Sequence, residues 1–168
     1  MSGGRECGDC ALCCKVLAVP PLGKPQNLWC PHCRPGQGCG IYPTRPEECR
    51  QFSCQYLASP QLGEHWRPTR SHMVVAIGAD PRHLLIHVDP GRPDAWRKPP
   101  YRQEIAGWAG RAMQHRGQVV VWVQGNAIVV FPNGEKRLGP VRLGQTIVIT
   151  MVLTAQGKHY DAAVLDPA

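Results

Sequence analysis

The residues able to do chemistry are nine cysteines, all between Cys7 and Cys54, with none after that point in a chain of 168 residues. They open with Cys7-Gly8-Asp9-Cys10-Ala11-Leu12-Cys13-Cys14, continue through Cys30-Pro31-His32-Cys33, and close with Cys39, Cys49 and Cys54. A Cys-x-x-Cys step lets two thiolates from one tight turn reach one metal while backbone N–H groups face the sulfurs. Two such steps in succession place Cys7, Cys10 and Cys13 around one centre. Adjacent side chains diverge, so Cys13 and Cys14 serve two centres or bridge two metals more easily than they sit side by side on one. Thiols alone saturate two tetrahedral sites with one to spare, so His32 is expected to orient or solvate rather than ligate. An odd number of cysteines fits a disulfide framework poorly. The opening Met1-Ser2-Gly3-Gly4-Arg5-Glu6 has no apolar stretch of the kind a secretory leader needs, so the expected compartment is the reducing cytoplasm.

Charge and composition narrow the partners. The formal charge is +7, from 19 Lys and Arg against 12 Asp and Glu. Two tetrathiolate sites lose eight protons and gain two divalent ions, a change of about −4, so much of the apparent basicity neutralises sulfur. Lys15, Arg34, Arg45 and Arg50 are near enough in sequence to do so. The cations form no polybasic run and do not alternate with aromatics, which argues against nucleic acid. No apolar run approaches the ~18 residues of a spanning helix; the longest, Val119 to Val123, is strand-sized. The expected partner is therefore a metal ion, with no membrane; a protein partner stays unspecified.

The elements that must position the cysteines are short. Leu12 to Val19 suits a short helix ended by Pro20-Pro21. Residues 22–40 form a Gly/Pro-rich loop that a bound metal would have to order. Thr44 and Glu47 resemble a capping box for a helix through Tyr56, which would carry Cys49 toward the metal and Phe52 toward the core. Residues 58–72 are a connector. From Met73 the pattern changes to strands, at Met73–Ile77, His83–Val88, Gln118–Gln124, Ala127–Phe131, Gln145–Leu153 and His159–Leu165. One good helix spans Tyr101–Arg116, stopped by Gly117. Gly125-Asn126 and Asn133-Gly134 are turn signals. Trp96, Trp108 and Trp122 are assigned to the core. His83 and His87 share a strand face without metal-ligand proximity, and Asp9, Asp89, Asp94, Glu104 and Asp161 read as scattered surface charge. The expected fold is α+β: a small Cys-rich, metal-stabilised module (1–57), the connector, and a β-rich portion with one long helix (73–168) of unassigned role.

The motif order Cys7-x-x-Cys10-x-x-Cys13-Cys14, Cys30-Pro31, then Cys39-Gly40-Ile41-Tyr42-x-x-Arg45-Pro46-x-x-Cys49-Arg50-x-Phe52-x-Cys54 resembles the bacterial YkgJ-type cysteine-cluster proteins, also described as the zinc- or iron-chelating CxxCxxCC domain. The resemblance covers residues 7–57. It implies metal binding through Cys7, Cys10, Cys13, Cys14, Cys30, Cys39 and Cys49. Cys33 and Cys54 match cysteines found in only some members. Ile41, Tyr42 and Phe52 match apolar positions, and Arg45 and Arg50 match basic ones suited to thiolates. Residues 73–168 resemble C-terminal extensions of some members, with no activity attached.

The expected function is chelation of zinc or iron, the iron alone or as an iron–sulfur cluster. The tetrathiolate count and the Cys-x-x-Cys steps favour zinc, and the triple Cys run with a later Cys-Pro favours a cluster. The metal would be structural, or held for storage or transfer. The alternative is a cysteine-cluster enzyme, either a thiol oxidoreductase or a protein-modifying enzyme like the related flagellin lysine-N-methylases. No Gly-x-Gly-x-x-Gly loop or Ser/His/Asp set supports a particular reaction.

Overall fold

A computed structural model describes residues 4–168. Met1 to Gly3, where the segment expected to lack a leader begins, lie outside them. Among the described residues no helix is long and apolar enough to cross a membrane. Helices make up 26% and strands 32%, with a sheet and one long helix, so the fold is α+β.

The cysteine-bearing segment consists of short pieces: α1 (Cys13–Val16), a two-stranded ladder of β1 (Cys33–Arg34) and β2 (Gly38–Cys39), α2 (Glu47–Gln51) and α3 (Gln55–Ala58). Two expectations need correction here. The helix from Leu12 stops at Val16, not Val19, because Leu17 turns extended and the Lys24 ammonium takes the carbonyls of Lys15 and Leu17. The helix from Glu47 is not continuous to Tyr56. Phe52 leaves helical geometry at φ −70° and ψ 127°, and its ring packs on Leu12, Val16 and Val74. Burying that ring outweighs one more turn of helix, and the break separates Cys54 from Cys49. Thr44 does not cap α2 either. It lies in a short 3-10 turn, and Pro46 occupies the cap position without a side-chain hydrogen bond.

The connector is better anchored than its composition suggests. After α4 (Pro68–Ser71) the chain enters the sheet. Just before α4, Trp66 is 1% exposed, its ring 4.9 Å from Tyr101 and 4.6 Å from Trp108. Its indole N–H donates to Glu104 Oε2 at 2.5 Å. Partner supply is the usual condition for burying a tryptophan.

The sheet runs β3 (Met73–Ile77), β4 (His83–Val88), β5 (Gln118–Val123), β6 (Asn126–Phe131) and β7 (Gly134–Gly139) in that spatial order. Only β4 and β5 are parallel, joined by the crossover helix α5 (Tyr101–Gln114). Alternation divides β5 between two cores. Val119, Val121 and Val123 face α5, with Ile105, Ala109, Trp66 and Trp96. Val120 and Trp122 face the other way, toward a long hairpin of β8 (Thr146–Thr154) and β9 (Gly157–Leu165), whose Ile147, Ile149 and Ala162 cover that side. Trp96 is buried in the first core and Trp108 half-buried against it, while Trp122 is half-buried against the second, so all three tryptophans assigned to the core pack on one or the other. The six expected strands are present; β7 and the small β1–β2 ladder are additional.

Two glycine-dependent turns set the geometry. Gln124 and Gly125 both have positive φ, 50° and 82°, as a two-residue hairpin loop requires. At Gly117 a Cβ would lie 2.1 Å from the Arg82 carbonyl oxygen. Only glycine lets the chain leave α5 close enough to start β5 beside His83.

Candidate metal centre

Backbone turns assemble the cysteines. In the first Cys-x-x-Cys step the Cys10 N–H donates to the Cys7 carbonyl at 2.8 Å, and in the later step Cys33 donates to Cys30 at 3.0 Å. The Leu12 amide hydrogen-bonds the Cys10 sulfur, the N–H···S contact expected of such a turn. The Cys30 N–H donates to the Cys14 carbonyl at 3.0 Å, which clips the loop onto α1. Cys33 and Cys39 lie directly opposite each other in the β1–β2 ladder. All nine cysteines are free; Cys7 is exposed, Cys30 buried, and the others half-buried.

Mutual charge repulsion resolves the thiols into two neighbourhoods. Burial pushes Cys7 up, and Cys54 and Cys14 add to the rise. Burial also pushes Cys10 up, with Cys54 and Cys7 adding to it. Cys13 is pushed up by its hydrogen bond to Cys14 and by burial, with the charges of Cys14, Cys10 and Cys7 adding further. Cys7, Cys10, Cys13 and Cys54 thus form one group, with Cys14 acting on two of its members, Cys7 and Cys13. In the other, burial and Cys14 push Cys33 up to about 12, with Cys30 and Cys39 contributing. Cys49 is raised by burial and then by Cys14, Cys30 and Cys39. Cys14, Cys30, Cys33, Cys39 and Cys49 form that second set.

Cys14 is the exception in sign. It is lowered to about 6 because the Cys13 thiol hydrogen-bonds it, outweighing burial, with help from Cys33 and the Lys24 charge. Cys14 thus hydrogen-bonds both Cys13 and Cys33 and links the two groups.

Lys24 was not among the cations expected to matter. Its side chain is 4% exposed, and its ammonium donates to the Lys15 carbonyl at 2.8 Å and to that of Leu17. Burial depresses its pKa, and Cys30, Cys14, Cys13 and Cys49 oppose the depression. It is a buried cation shared mainly with the second set. The only sequence signal was its place between Gly23 and Pro25 in a tight turn closed by Val19 and Lys24. Of the expected neutralisers, Arg45 lies over the Tyr42 ring and also acts to lower Cys7, whereas Lys15 pairs with Asp89 at 2.7 Å and Arg50 donates to the Arg45 carbonyl at 2.9 Å. Arg67, paired with Asp9 at 2.7 Å, is the second unforeseen cation and lowers Cys10.

Among the described residues no group of three or more His, Cys, Asp or Glu side chains is arranged so as to hold a metal ion. Cys13, Cys14 and Cys33 are engaged in hydrogen bonds to one another instead. The donor chemistry nonetheless fits a thiophilic ion. The donors are all soft sulfurs, in numbers sufficient for two tetrathiolate centres, with an amide on one sulfur and a buried ammonium beside four others. Metal charge would offset the burial that chiefly raises Cys7, Cys10, Cys33 and Cys49, and the thiol–thiol repulsion that adds to it.

The remaining candidates are placed as follows. The His32 carbonyl accepts from the Gly40 N–H at 2.8 Å, a structural contact in the β1–β2 turn. His87 is buried, and burial lowers it to about 4, whereas His83 lies 3.9 Å from Asp80. Two carboxylates do more than carry surface charge. Asp89 receives Lys15, and Glu104 receives both Trp66 and His65. Asp161 pairs with Lys136 at 3.1 Å.

No family model matches the chain, and comparison with curated proteins and with solved structures gave no match in either.

Proposed function

We propose that this chain is a cytoplasmic metal-binding protein that takes zinc or iron, the iron alone or in a cluster, through its clustered cysteines. Cys7, Cys10, Cys13 and Cys54 would supply one centre. Cys14, Cys30, Cys33, Cys39 and Cys49 would supply the other, with one sulfur in excess. What supports this reading is nine free thiols gathered by backbone contacts, with the Cys10 N–H on the Cys7 carbonyl, the Cys33 N–H on that of Cys30, the Cys30 N–H on that of Cys14, and Cys33 opposite Cys39. The order of the motifs supports kinship with the YkgJ-type cysteine-cluster proteins. The bound ion would order loops that have few apolar contacts of their own, and its exchange would make the same sites a store or carrier.

Elemental analysis with an absorption spectrum of anaerobically purified protein tests the proposal. Zinc or iron near two centres per chain is the expected result. Absorption near ~400 nm would identify thiolate-ligated iron, and a colourless zinc protein would identify tetrathiolate zinc. Protein that is folded, free of metal and indifferent to strong chelators would overturn it.

One observation favours a second reading, thiol–disulfide exchange. Cys14 is a half-buried thiol lowered to about 6, with Cys13 and Cys33 beside it as resolving partners. Disulfide reduction that is equal in metal-free and metal-loaded protein, and lost in Cys14→Ser, would establish it in place of chelation.

A further inference from the structure

The β8–β9 hairpin does not close fully onto the sheet. Between its inner face, the C-terminal end of α5 and the start of β5 lies a cleft of about 830 Å³. That is within the range of small-molecule sites. Its apolar wall includes Met113, Ile149 and Tyr160, which pack on the second core while staying partly exposed. Its charged lining has one sign. Arg82, Arg116 and Lys158 contribute, and among the described residues no carboxylate lines it. Arg82 is already engaged by Asp80. Arg116 and Lys158 are exposed and have no carboxylate partner among the described residues, so their charges are free to meet a ligand. His83 also lines the cleft, and its Nδ1 is buried with no hydrogen-bond partner, a condition that costs free energy unless a further group satisfies it.

We propose that this cleft binds a small amphipathic anion, an organic carboxylate with an apolar body. Its charge lies with Arg116 and Lys158 and its apolar part rests on Met113, Ile149 and Tyr160. Two uncompensated cations beside exposed apolar wall select for a molecule carrying both features. A simple inorganic anion would leave the wall wet, and a neutral apolar molecule would leave the cations unused. The site is separate from the cysteines and does not depend on the metal reading.

The test is isothermal titration calorimetry of the full chain with decanoate, alongside acetate and decyltrimethylammonium. Saturable binding of one decanoate per chain is expected, with no measurable heat from acetate and at least tenfold weaker binding of the cation. Arg116→Gln with Lys158→Gln should weaken decanoate at least tenfold at unchanged far-UV circular dichroism and unchanged metal content. Met113→Gln should weaken it separately, at unchanged net charge. No saturation by 1 mM, equal binding of decyltrimethylammonium, or indifference to both sets of substitutions would overturn the proposal.

Discussion

Replacing Lys24 with methionine separates what the buried ammonium does for the fold from what it does for the sulfurs. The backbone bridge between Val19 and Lys24 does not involve the side chain, so the loop can keep its path. The substitution removes two charge-assisted hydrogen bonds, to the carbonyls of Lys15 and Leu17, each contributing about 1.5–3 kcal/mol. It also removes the cost of burying an ammonium, so the net loss in metal-free protein should be about 1–2 kcal/mol. Metal-loaded protein loses more. A tetrathiolate around a divalent ion carries a net charge near −2. The Lys24 charge acts on four of the sulfurs, and a cation taken at roughly 7 Å, at an effective dielectric constant of about 20, contributes about 3 kcal/mol after screening. The hydrogen-bond loss is common to both states and cancels in an affinity measurement. Zinc affinity should therefore fall about 10²-fold.

Competition for zinc against a chromophoric chelator reads this directly. Lys24→Arg retains the charge and should restore most of the affinity. Lys98→Met, at an exposed position remote from the sulfurs, should leave it unchanged. Folded Lys24→Met protein with wild-type zinc affinity would refute the claim that this ammonium stabilises ionised sulfur.

Three further outcomes are expected. Cys54→Ser, in the set of four, should remove about half of the bound metal by elemental analysis, whereas Cys39→Ser leaves four sulfurs in its set and should keep it, and Cys39→Ser with Cys49→Ser should remove the other half; loss of everything from Cys54→Ser alone would mean one shared centre. His87 is held neutral by burial, with its pKa lowered to about 4 in the fold. The unfolded chain therefore binds the extra proton first, and stability should fall by about 3 kcal/mol as pH drops from ~6.5 to ~4. Urea unfolding should show that slope in the wild type and a flatter one in His87→Leu. Gly117→Ala would push a Cβ to 2.1 Å from a backbone oxygen and should cost about 3 kcal/mol, read as a lowered denaturation midpoint.

What was legible in the sequence follows the physics of each segment. Strands β3 to β6 are apolar runs bounded by turn residues, and α5 carries Ile105, Trp108, Ala109 and Ala112 at helical spacing, so periodicity located them. β7 reads Gly-Glu-Lys-Arg-Leu-Gly, and its only large apolar side chain is Leu138. It is an edge strand, where charge is tolerated and alternation fades. The parallel pairing of β4 with β5 leaves no local mark at all. Trp66 was hidden because its burial depends on Tyr101, Trp108 and Glu104, some 35 to 42 residues away. The cysteine spacing identified the donors, but their division into two sets depends on loop paths that no spacing rule fixes. Lys24 looked like any loop lysine. Its role exists only because α1 ends early and leaves two carbonyls facing it.

Two parts of the chain draw on different sources of order. The sheet, α5 and the hairpin bury Met73, Ile86, Val119 to Val121, Ile128 to Phe131 and two tryptophans around continuous cores. Up to residue 57, the buried apolar side chains among the described residues are Ala11, Leu12, Val16, Val19, Cys30 and Tyr56, and the shared cluster reaches the sheet through Val74 alone. So little apolar burial falls short of the conformational entropy lost in fixing more than 50 residues, at about 1–2 kcal/mol each. Contacts such as Arg5 on the carbonyls of Tyr56, Ser59 and Leu62 and Lys15 on Asp89 fasten the edges of this segment and leave its centre to the sulfurs. Free thiols in that position repel as they ionise, whereas thiolates around a cation attract. On the proposed function, the same nine residues would oppose the fold without metal and hold it together with metal.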